Sequence, residues 1–279
     1  MPTILVVANE TIGGGNLLAD VRARAQADPS TRFRLVVPRS RPRSGLVIYD
    51  DAVLDAAQVR VDLARSFMAR EGLQVDGEVG DPDPFTATLD AVRDGGVDEI
   101  IISTLPATSS GWLKRDLIER VRDASGLPVD HVVTDINEEG LGFEVTLVIA
   151  NRTAGNEQLI ERLLAKNEAA EGNDVFIVVV PLDNNERNPT AAARARLGNL
   201  LDRLRSEGLL AAGMIGDPDP YVATMNALQF YTVSSVVIST LPEERSGWMR
   251  QDLIARVRKA SNIDIEHLVA QPGAAETAA

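Results

Sequence analysis

The chain has 279 residues, 44% hydrophobic and 25% charged, which is enough for two domains with their own apolar cores. It contains no cysteine, which excludes disulfides, thiolate metal sites and a cysteine nucleophile and suits a reducing cytoplasm. The net charge of -13 would repel a phosphate backbone, so nucleic acid is not expected as a partner. No apolar run is long enough to cross a membrane, and the start, MPTILVVANE, lacks the pattern of a signal peptide. We therefore expect a cytoplasmic protein without a membrane partner.

The first half predicts alternating strands and helices. Short β-branched or apolar runs, typical of strands buried on both faces of a parallel sheet, occur at ILVVA, RFRLVVP, LQVDGEV, VDEIIIS and LPVDHVV. Between these runs, apolar residues share a helix face at Leu17, Leu18, Val21 and Ala25, at Val53, Ala57, Val61, Ala64 and Met68, at Leu89 and Val92, and at Leu113, Leu117 and Val121. The alternation predicts a doubly wound, five-stranded parallel sheet. Ligands of such a sheet bind beyond the carboxyl ends of the strands.

The second half repeats the first. GDPDP at 80–84 recurs at 216–220 (216 − 80 = 136), and STLP and SGW recur at the same offset. LVVANET at 5–11 matches LVIANRT at 147–153 (147 − 5 = 142), and the change of offset locates about six or seven extra residues of the first half around RSRPRSGLVIY. We expect domains at 1–136 and 143–271, with NEEGLG as a linker between them and a disordered tail at 272–279.

Two segments carry a resemblance to a known family. GDPDPFTATLDAVRDGGVDEIIIST resembles the third-strand-to-fourth-strand segment of universal stress proteins, and SGWLKRDLIERVRDASGLPVDHVV resembles their last helix and strand. Both halves show the likeness, which covers the chain apart from the linker and tail. It implies two tandem, doubly wound domains of the Rossmann-like, adenine nucleotide alpha hydrolase-like class. Members commonly dimerise, and many bind ATP, AMP or related nucleotides whereas others bind none.

The halves depart from the nucleotide-binding pattern of that family. Neither contains the loop G-x2-G-x9-G-[ST], and asparagine replaces the aspartate that often ends the first strand. Hydroxyls, amides at helix termini and basic side chains near the strand ends can still bind an adenine nucleotide or a small anion. The candidate binding residues are Asn9, Arg39, Ser103, Thr104, Ser110, Gly111 and Lys114 in the first half, and Asn151, Ser239, Thr240, Ser246, Gly247 and Arg250 in the second.

Several of these positions have a structural interpretation as well. Ser110 can be a helix N-cap, and Trp112 and Trp248 are more often packed in a core than stacked on a ligand. His131 and His267 have no further ligands at metal-binding spacing, so no metal is expected. GDPDP predicts a turn whose aspartate caps the next helix. The glycine run 13–15 lacks dinucleotide-binding spacing and predicts a flexible turn.

The sequence contains no catalytic motif, neither a G-x-S-x-G elbow nor a G-x-x-x-x-G-K-[ST] loop, and we expect a protein that is not an enzyme. Three hypotheses stay open, of which the first two are a regulatory binder of an adenine nucleotide or other small anion, and a stress-related interaction module without bound nucleotide. A hydrolase is the third hypothesis and would need carboxylates around a metal.

The last strand of each half is expected at a sheet edge. Edge strands have unpaired amides and carbonyls, and the resembled family often pairs its last strand with that of a second subunit. We therefore expect 127–134 and 263–270 to meet at an intramolecular pseudo-two-fold axis relating His131 and His267. A further homodimer is also open.

The break in the repeat predicts that the halves differ in ligand binding. The extra loop of the first half carries Arg39, Arg41 and Arg43, whereas the second half has LDNNERNP there, with Asp183 and Glu186. Exposed arginines near a helix amino terminus favour an anion by about 0.3–1 kcal/mol each. A solvated loop without a ligand is the alternative interpretation.

On the binding interpretation, we expect ATP, AMP or cyclic AMP to bind the first half more tightly than the second, and to bind less tightly as salt increases. An Arg39→Ala, Arg41→Ala, Arg43→Ala variant should bind still more weakly. Calorimetry on each separated half measures this difference. Equal binding by both halves, or binding by neither, would contradict it.

Overall fold

The computed structural model describes residues 1–41, 50–113, 116–242, 248 and 252–270. They form two compact units, the first comprising Met1–Arg41 and Ala56–Gly142 and the second including 143–270. The first half contains β1 (Thr3–Val7), α1 (Gly15–Ala27), β2 (Arg32–Pro38), α2 (Asp50–Arg70), β3 (Gln74–Gly80), α3 (Pro84–Arg93), β4 (Glu99–Thr104), α4 (Leu117–Ser125), β5 (Val129–Val133) and α5 (Ile136–Glu139). The second half contains β6 (Glu144–Ile149), α6 (Glu157–Ala169), β7 (Asp174–Pro181), α7 (Pro189–Ser206), β8 (Leu210–Gly216), α8 (Pro220–Phe230), β9 (Ser235–Thr240), α9 (Leu253–Ala260) and β10 (Asp264–Val269).

Each half forms one five-stranded, all-parallel sheet. The strand orders are β3-β2-β1-β4-β5 and β10-β9-β6-β7-β8, so the two sheets have the same topology. The order reverses beside the first strand of each half, where β1 lies between β2 and β4 and β6 lies between β7 and β9. The predicted fold class, two doubly wound five-stranded domains, is confirmed. In the described ranges, no helix has the length and apolar character to cross a membrane.

The central strands are buried on both faces. In β1, Leu5, Val6 and Val7 have no exposed surface, and the same holds for 147–149 of β6. In the first sheet, Val6 packs with residues of α1 and α2 on one face, and Leu5 and Val7 pack with residues of α3 and α4 on the other. Each large apolar side chain buried in this way contributes about 1.5–3 kcal/mol. Burial of both faces explains why these strands have continuous apolar sequences.

The two GDPDP motifs cap helices, as the sequence predicts. The Asp83 carboxylate accepts a hydrogen bond from the Thr86 N–H at 3.2 Å, and Asp219 accepts one from the Tyr221 N–H at 2.8 Å. A proline follows each aspartate at the first helical position, where its missing N–H costs nothing. The turn therefore fixes where α3 and α8 begin.

The glycine run after β1 has a packing role that differs from the flexible turn expected from sequence. A Cβ at Gly14 would lie 2.0 Å from Thr134 Cγ2, and Gly14 pairs with Leu141 in an antiparallel bridge. The Gly142 N–H donates to Gly13 O at 2.8 Å. Residues 137–142, expected to be a linker, therefore pack on the first unit, which extends to Gly142.

The first glycine of GDPDP is required by close packing. A Cβ at Gly80 would lie 2.7 Å from Ala87 Cβ and 2.8 Å from Val36 Cγ1, and Gly216 is crowded in the same way. We expect Gly80→Ala to lower the free energy of unfolding by about 1–3 kcal/mol, measured by urea denaturation.

Gly198→Ala provides the matched control. Gly198 lies within α7, and a Cβ there would meet no atom within 4 Å. The substitution should raise the free energy of unfolding by about 0.5–1 kcal/mol, since alanine favours the helix. If both substitutions changed the free energy of unfolding in the same direction, close packing at Gly80 would not explain the effect of Gly80→Ala.

Candidate functional site

The predicted binding residues at the strand ends come together in both halves. Asn9, Ser103 and Thr104 follow or end β1 and β4 and are only 7%, 1% and 2% exposed. Their counterparts in the second half, Asn151, Ser239 and Thr240, have the same exposures. Two threonines join the loops: Thr11 Oγ1 donates to Ser103 O at 3.3 Å, and Thr153 Oγ1 donates to Ser239 O at 3.0 Å. Each half thus places a cluster of buried polar groups where the strand order reverses.

The two asparagines differ in their partners. Asn151 Oδ1 accepts a hydrogen bond from Arg196 Nη1 at 2.8 Å. Asn9 Oδ1 is equally buried but has no hydrogen-bond partner among the described residues. A buried acceptor without a partner costs about 1–3 kcal/mol, so native structures rarely leave one unused. Among the described residues, the asparagine oxygen of the first cluster is therefore an unused acceptor, whereas the asparagine oxygen of the second cluster is bonded.

Arginines pair with both acidic residues of the second-half loop. The Arg196 guanidinium donates to both carboxylate oxygens of Glu186, with Nη1 at 3.1 Å from Oε2. Asp183 accepts from Arg152 Nη2 at 2.7 Å. Burial alone would raise the pKa of Asp183, but hydrogen bonds from Asn185 and Arg152 lower it below its ordinary value. The acidic charge expected to distinguish this loop is thus matched by two arginines.

Sequence reasoning missed Arg196 and Arg152 as crevice residues. The only available signal was the offset of 136, which aligns Arg196 with Arg60 on the second helix of the first half (196 − 136 = 60). The presence of arginine at this helix position in both halves does not reveal that Arg196 bonds to Asn151, which lies in a different loop.

A single substitution explains why the two serines differ. Ser103 Oγ lies 3.4 Å from Thr134 Oγ1, so the two hydroxyls share a hydrogen bond. The position that corresponds to Thr134 in the second half is Ala270 (134 + 136 = 270). Ser239 Oγ is consequently buried without a hydrogen-bond partner in the described part of the chain.

The threonine at the end of the fourth strand pairs with a histidine in both halves. The Thr104 Oγ1 to His131 Nε2 distance and the Thr240 Oγ1 to His267 Nε2 distance are both 2.8 Å. Burial lowers the pKa of both imidazoles, and the charge of Arg258 lowers the pKa of His267 further. The two threonine hydroxyls therefore have a protein partner already. Within the described ranges, no group of three or more His, Asp or Glu could hold a metal ion.

The segment before α4 supports the packing interpretation of Trp112 and gives Ser110 a role in a turn rather than as the cap of α4. Ser110 Oγ accepts from the Leu113 N–H at 3.3 Å, and the side chain of Trp112 packs beside the cluster that contains Leu117. The α-helix begins at Leu117, because Asp116 before it has a left-handed backbone with φ of 49°, so the expected N-cap role of Ser110 for this helix is wrong. Gly111 is exposed next to this turn.

Of the remaining candidate binding residues, Arg39 lies at the carboxyl ends of two strands, and the others lie outside the described residues. Arg39 Nε donates to Gly80 O at 3.3 Å, which places it over the ends of β2 and β3. Those outside the described residues are Lys114, Ser246, Gly247, Arg250, Arg43 of the arginine loop and the expected tail at 272–279.

Comparisons with known proteins give similarity to solved structures. No protein-family model matches the sequence, and no curated protein matches it. The chain is similar to a universal stress protein from Archaeoglobus fulgidus, with 13% identity, 96% of each chain covered and a TM-score of 0.36. It is also similar to a protein of unknown function from Pseudomonas aeruginosa, with 17% identity, 97% of this chain and 93% of that chain covered, and a TM-score of 0.32. The fold assignment itself rests on the strand order.

The threonine–histidine pairs predict a pH dependence of stability. Because the pKa of each histidine is lowered on folding, the unfolded chain binds more protons below its pKa of about 6.5. The histidine contribution to stability is therefore fully present above that pH and is lost as the pH falls through it. We expect the free energy of unfolding to drop between about pH 7.5 and 5.5. A His131→Gln, His267→Gln variant, which keeps every carboxylate, should show a shallower drop in urea denaturation. Parallel pH profiles would contradict this assignment.

Proposed function

We propose that this protein is a non-catalytic regulatory binding protein of universal-stress-protein-like architecture, in which the first domain binds a small ligand and the second does not. The observation that carries the proposal is the difference between the two asparagines. Asn9 Oδ1 is buried without a partner among the described residues, whereas Asn151 Oδ1 is bonded to Arg196. A ligand that donates to Asn9 would offset about 1–3 kcal/mol of unfavourable burial in the first domain.

The hydrogen-bonding state of the first crevice favours an adenine nucleotide over a bare anion. An acceptor oxygen such as Asn9 Oδ1 needs a donor, which an amino group or ribose hydroxyl supplies and a fully ionised anion does not. Ser103 and Thr104 already share hydrogen bonds with Thr134 and His131. Arg39 supplies positive charge at the same edge of the sheet, where it can attract a phosphate group.

The geometry of the threonine–histidine pairs supports a non-catalytic role. A threonine hydroxyl beside a histidine nitrogen has the distance of a nucleophile–base pair. However, Thr104 and Thr240 are only 2% exposed, and each hydroxyl is already bonded to its histidine at the sheet edge. The pairs therefore fit a structural role at the sheet edge better than catalysis.

A second candidate function, an interaction module without bound nucleotide, is favoured by the edge strands. β5 and β10 lie at the edges of their sheets, where Val133 is 43% exposed and Val269 is 46% exposed. Exposed edge strands pair readily with other strands. The expected pairing of the last strands, within the chain or with a second subunit, stays a prediction.

Matched asparagine variants test the proposed binding site. We expect native mass spectrometry and calorimetry with ATP and AMP to find one nucleotide per chain. Asn9→Ala should weaken binding by about tenfold, the loss of one buried hydrogen bond, and Asn151→Ala should leave the affinity unchanged. Equal effects of the two substitutions would contradict the asymmetry. Absence of nucleotide binding by the unmodified protein would leave the interaction module as the better function.

A further inference from the structure

A guanidinium group bonds to two acceptors beyond the strand ends of the second domain. Arg196 extends from α7 and donates through Nη1 to Asn151 Oδ1 at 2.8 Å and to Glu186 Oε2 at 3.1 Å. Its Nη2 donates to the other oxygen of Glu186. The side chains of Arg196 and Glu186 are only 25% and 19% exposed, so this ion pair is shielded from water more than a surface pair. The carboxylate and the amide oxygen together accept from the two terminal nitrogens at the edge of a planar cation.

The backbone segments that carry the two acceptors have hydrogen bonds and burial of their own. The Glu186 N–H donates to Asp183 O at 3.0 Å, and Asp183 is itself bonded to Arg152. Asn151 follows the buried strand β6 and is 7% exposed. The backbone positions of both acceptors are therefore set by the strand end and by the loop after β7, which reduces the cost of ordering their side chains around a cation.

The first half shows that an arginine at this helix position does not by itself give the asparagine a hydrogen-bond partner. Arg60 stands at the helix position corresponding to Arg196, yet Asn9 Oδ1 has no hydrogen-bond partner among the described residues. In the second half the asparagine is joined by Glu186, whose charge attracts the guanidinium and whose two oxygens match its paired N–H groups. A lysine could not bond all three oxygens with the same geometry, because its ammonium group is a compact point charge.

We propose that Glu186 and Asn151 form a guanidinium-binding site in the second domain and that Arg196 is its intramolecular ligand. The proposal deepens the proposed function, on which its biological meaning rests, because it names the group that keeps other ligands out of the second crevice. The class of free ligand that this site takes, once Arg196 is removed, is a small guanidinium cation.

Chemical rescue in the full-length protein tests the site directly. Arg196→Ala keeps a helix-favouring residue in α7 but removes the guanidinium, and it should lower the melting temperature. Millimolar methylguanidinium chloride should then raise the melting temperature of this variant by about 3 °C, because a ligand that binds only the folded state stabilises it. Methylammonium chloride at the same concentration has the same charge without the planar fork and should give no rescue.

Two further variants serve as controls. Arg203→Ala removes an arginine from the same helix, where it pairs with Glu157 and Glu207 at the surface, and methylguanidinium should not rescue it. Combining Arg196→Ala with Glu186→Gln removes the charged acceptor and should abolish the rescue. If Arg196→Ala does not fold by circular dichroism, its refolding yield with methylguanidinium and with methylammonium provides the same comparison.

The outcomes separate this proposal from the proposed function. Rescue that is specific for methylguanidinium, for Arg196→Ala and for an intact Glu186 supports the site. Absence of rescue, or equal rescue of Arg203→Ala, overturns it. Neither result depends on nucleotide. A protein that binds no ATP or AMP but shows the rescue would therefore refute the proposed function and keep the guanidinium site.

Discussion

Burial of a central parallel strand on both faces is the constraint on which the rest of the structure depends. Leu5, Val6 and Val7 of β1 and their equivalents in β6 have no exposed surface, so helices must cover each sheet on both sides. The residues that follow these strands are buried by the same layers. Polar side chains there, such as Asn9 and Asn151, lose water and need hydrogen-bond partners from neighbouring loops. The crevice is thus a direct consequence of how completely the strand is covered.

The two halves have the same strand topology but satisfy the hydrogen bonds of these buried polar side chains differently. The first half pairs Ser103 with Thr134 but leaves Asn9 Oδ1 without a partner in the described structure. The second half pairs Asn151 with Arg196, but Ser239 Oγ has no partner in the part of the chain that the structure describes. Duplication preserved the apolar framework, which many side chains share, whereas each polar partner depends on one or two residues. Single substitutions such as threonine to alanine at position 270 therefore change a crevice without changing the fold.

The sequence was sufficient to predict the features that repeat locally. Apolar periodicity placed the strands and most helices, and GDPDP located the caps of α3 and α8, because these depend on neighbours within a few residues. It did not place the start of α4, because a left-handed Asp116 has no periodic signature. It also missed the bond between Arg196 and Asn151, whose partners are 45 residues apart and lie on either side of the change in repeat offset. The acidic residues Asp183 and Glu186 in the sequence of this loop gave no indication that arginines from other parts of the chain would pair with their carboxylates.

The closure of the first domain by residues 137–142 affects the order in which the chain can fold during synthesis. Gly14 pairs with Leu141, and Asn16 bonds with Glu139 across 123 positions. At a translation rate of about 5–20 residues per second, about 6–25 s separate the emergence of these partners from the ribosome. Until then the amino-terminal end of α1 lacks the carboxylate and the bridge that hold it in the finished domain. Nascent chains of the first domain therefore have a period in which this end is exposed to chaperones and proteases.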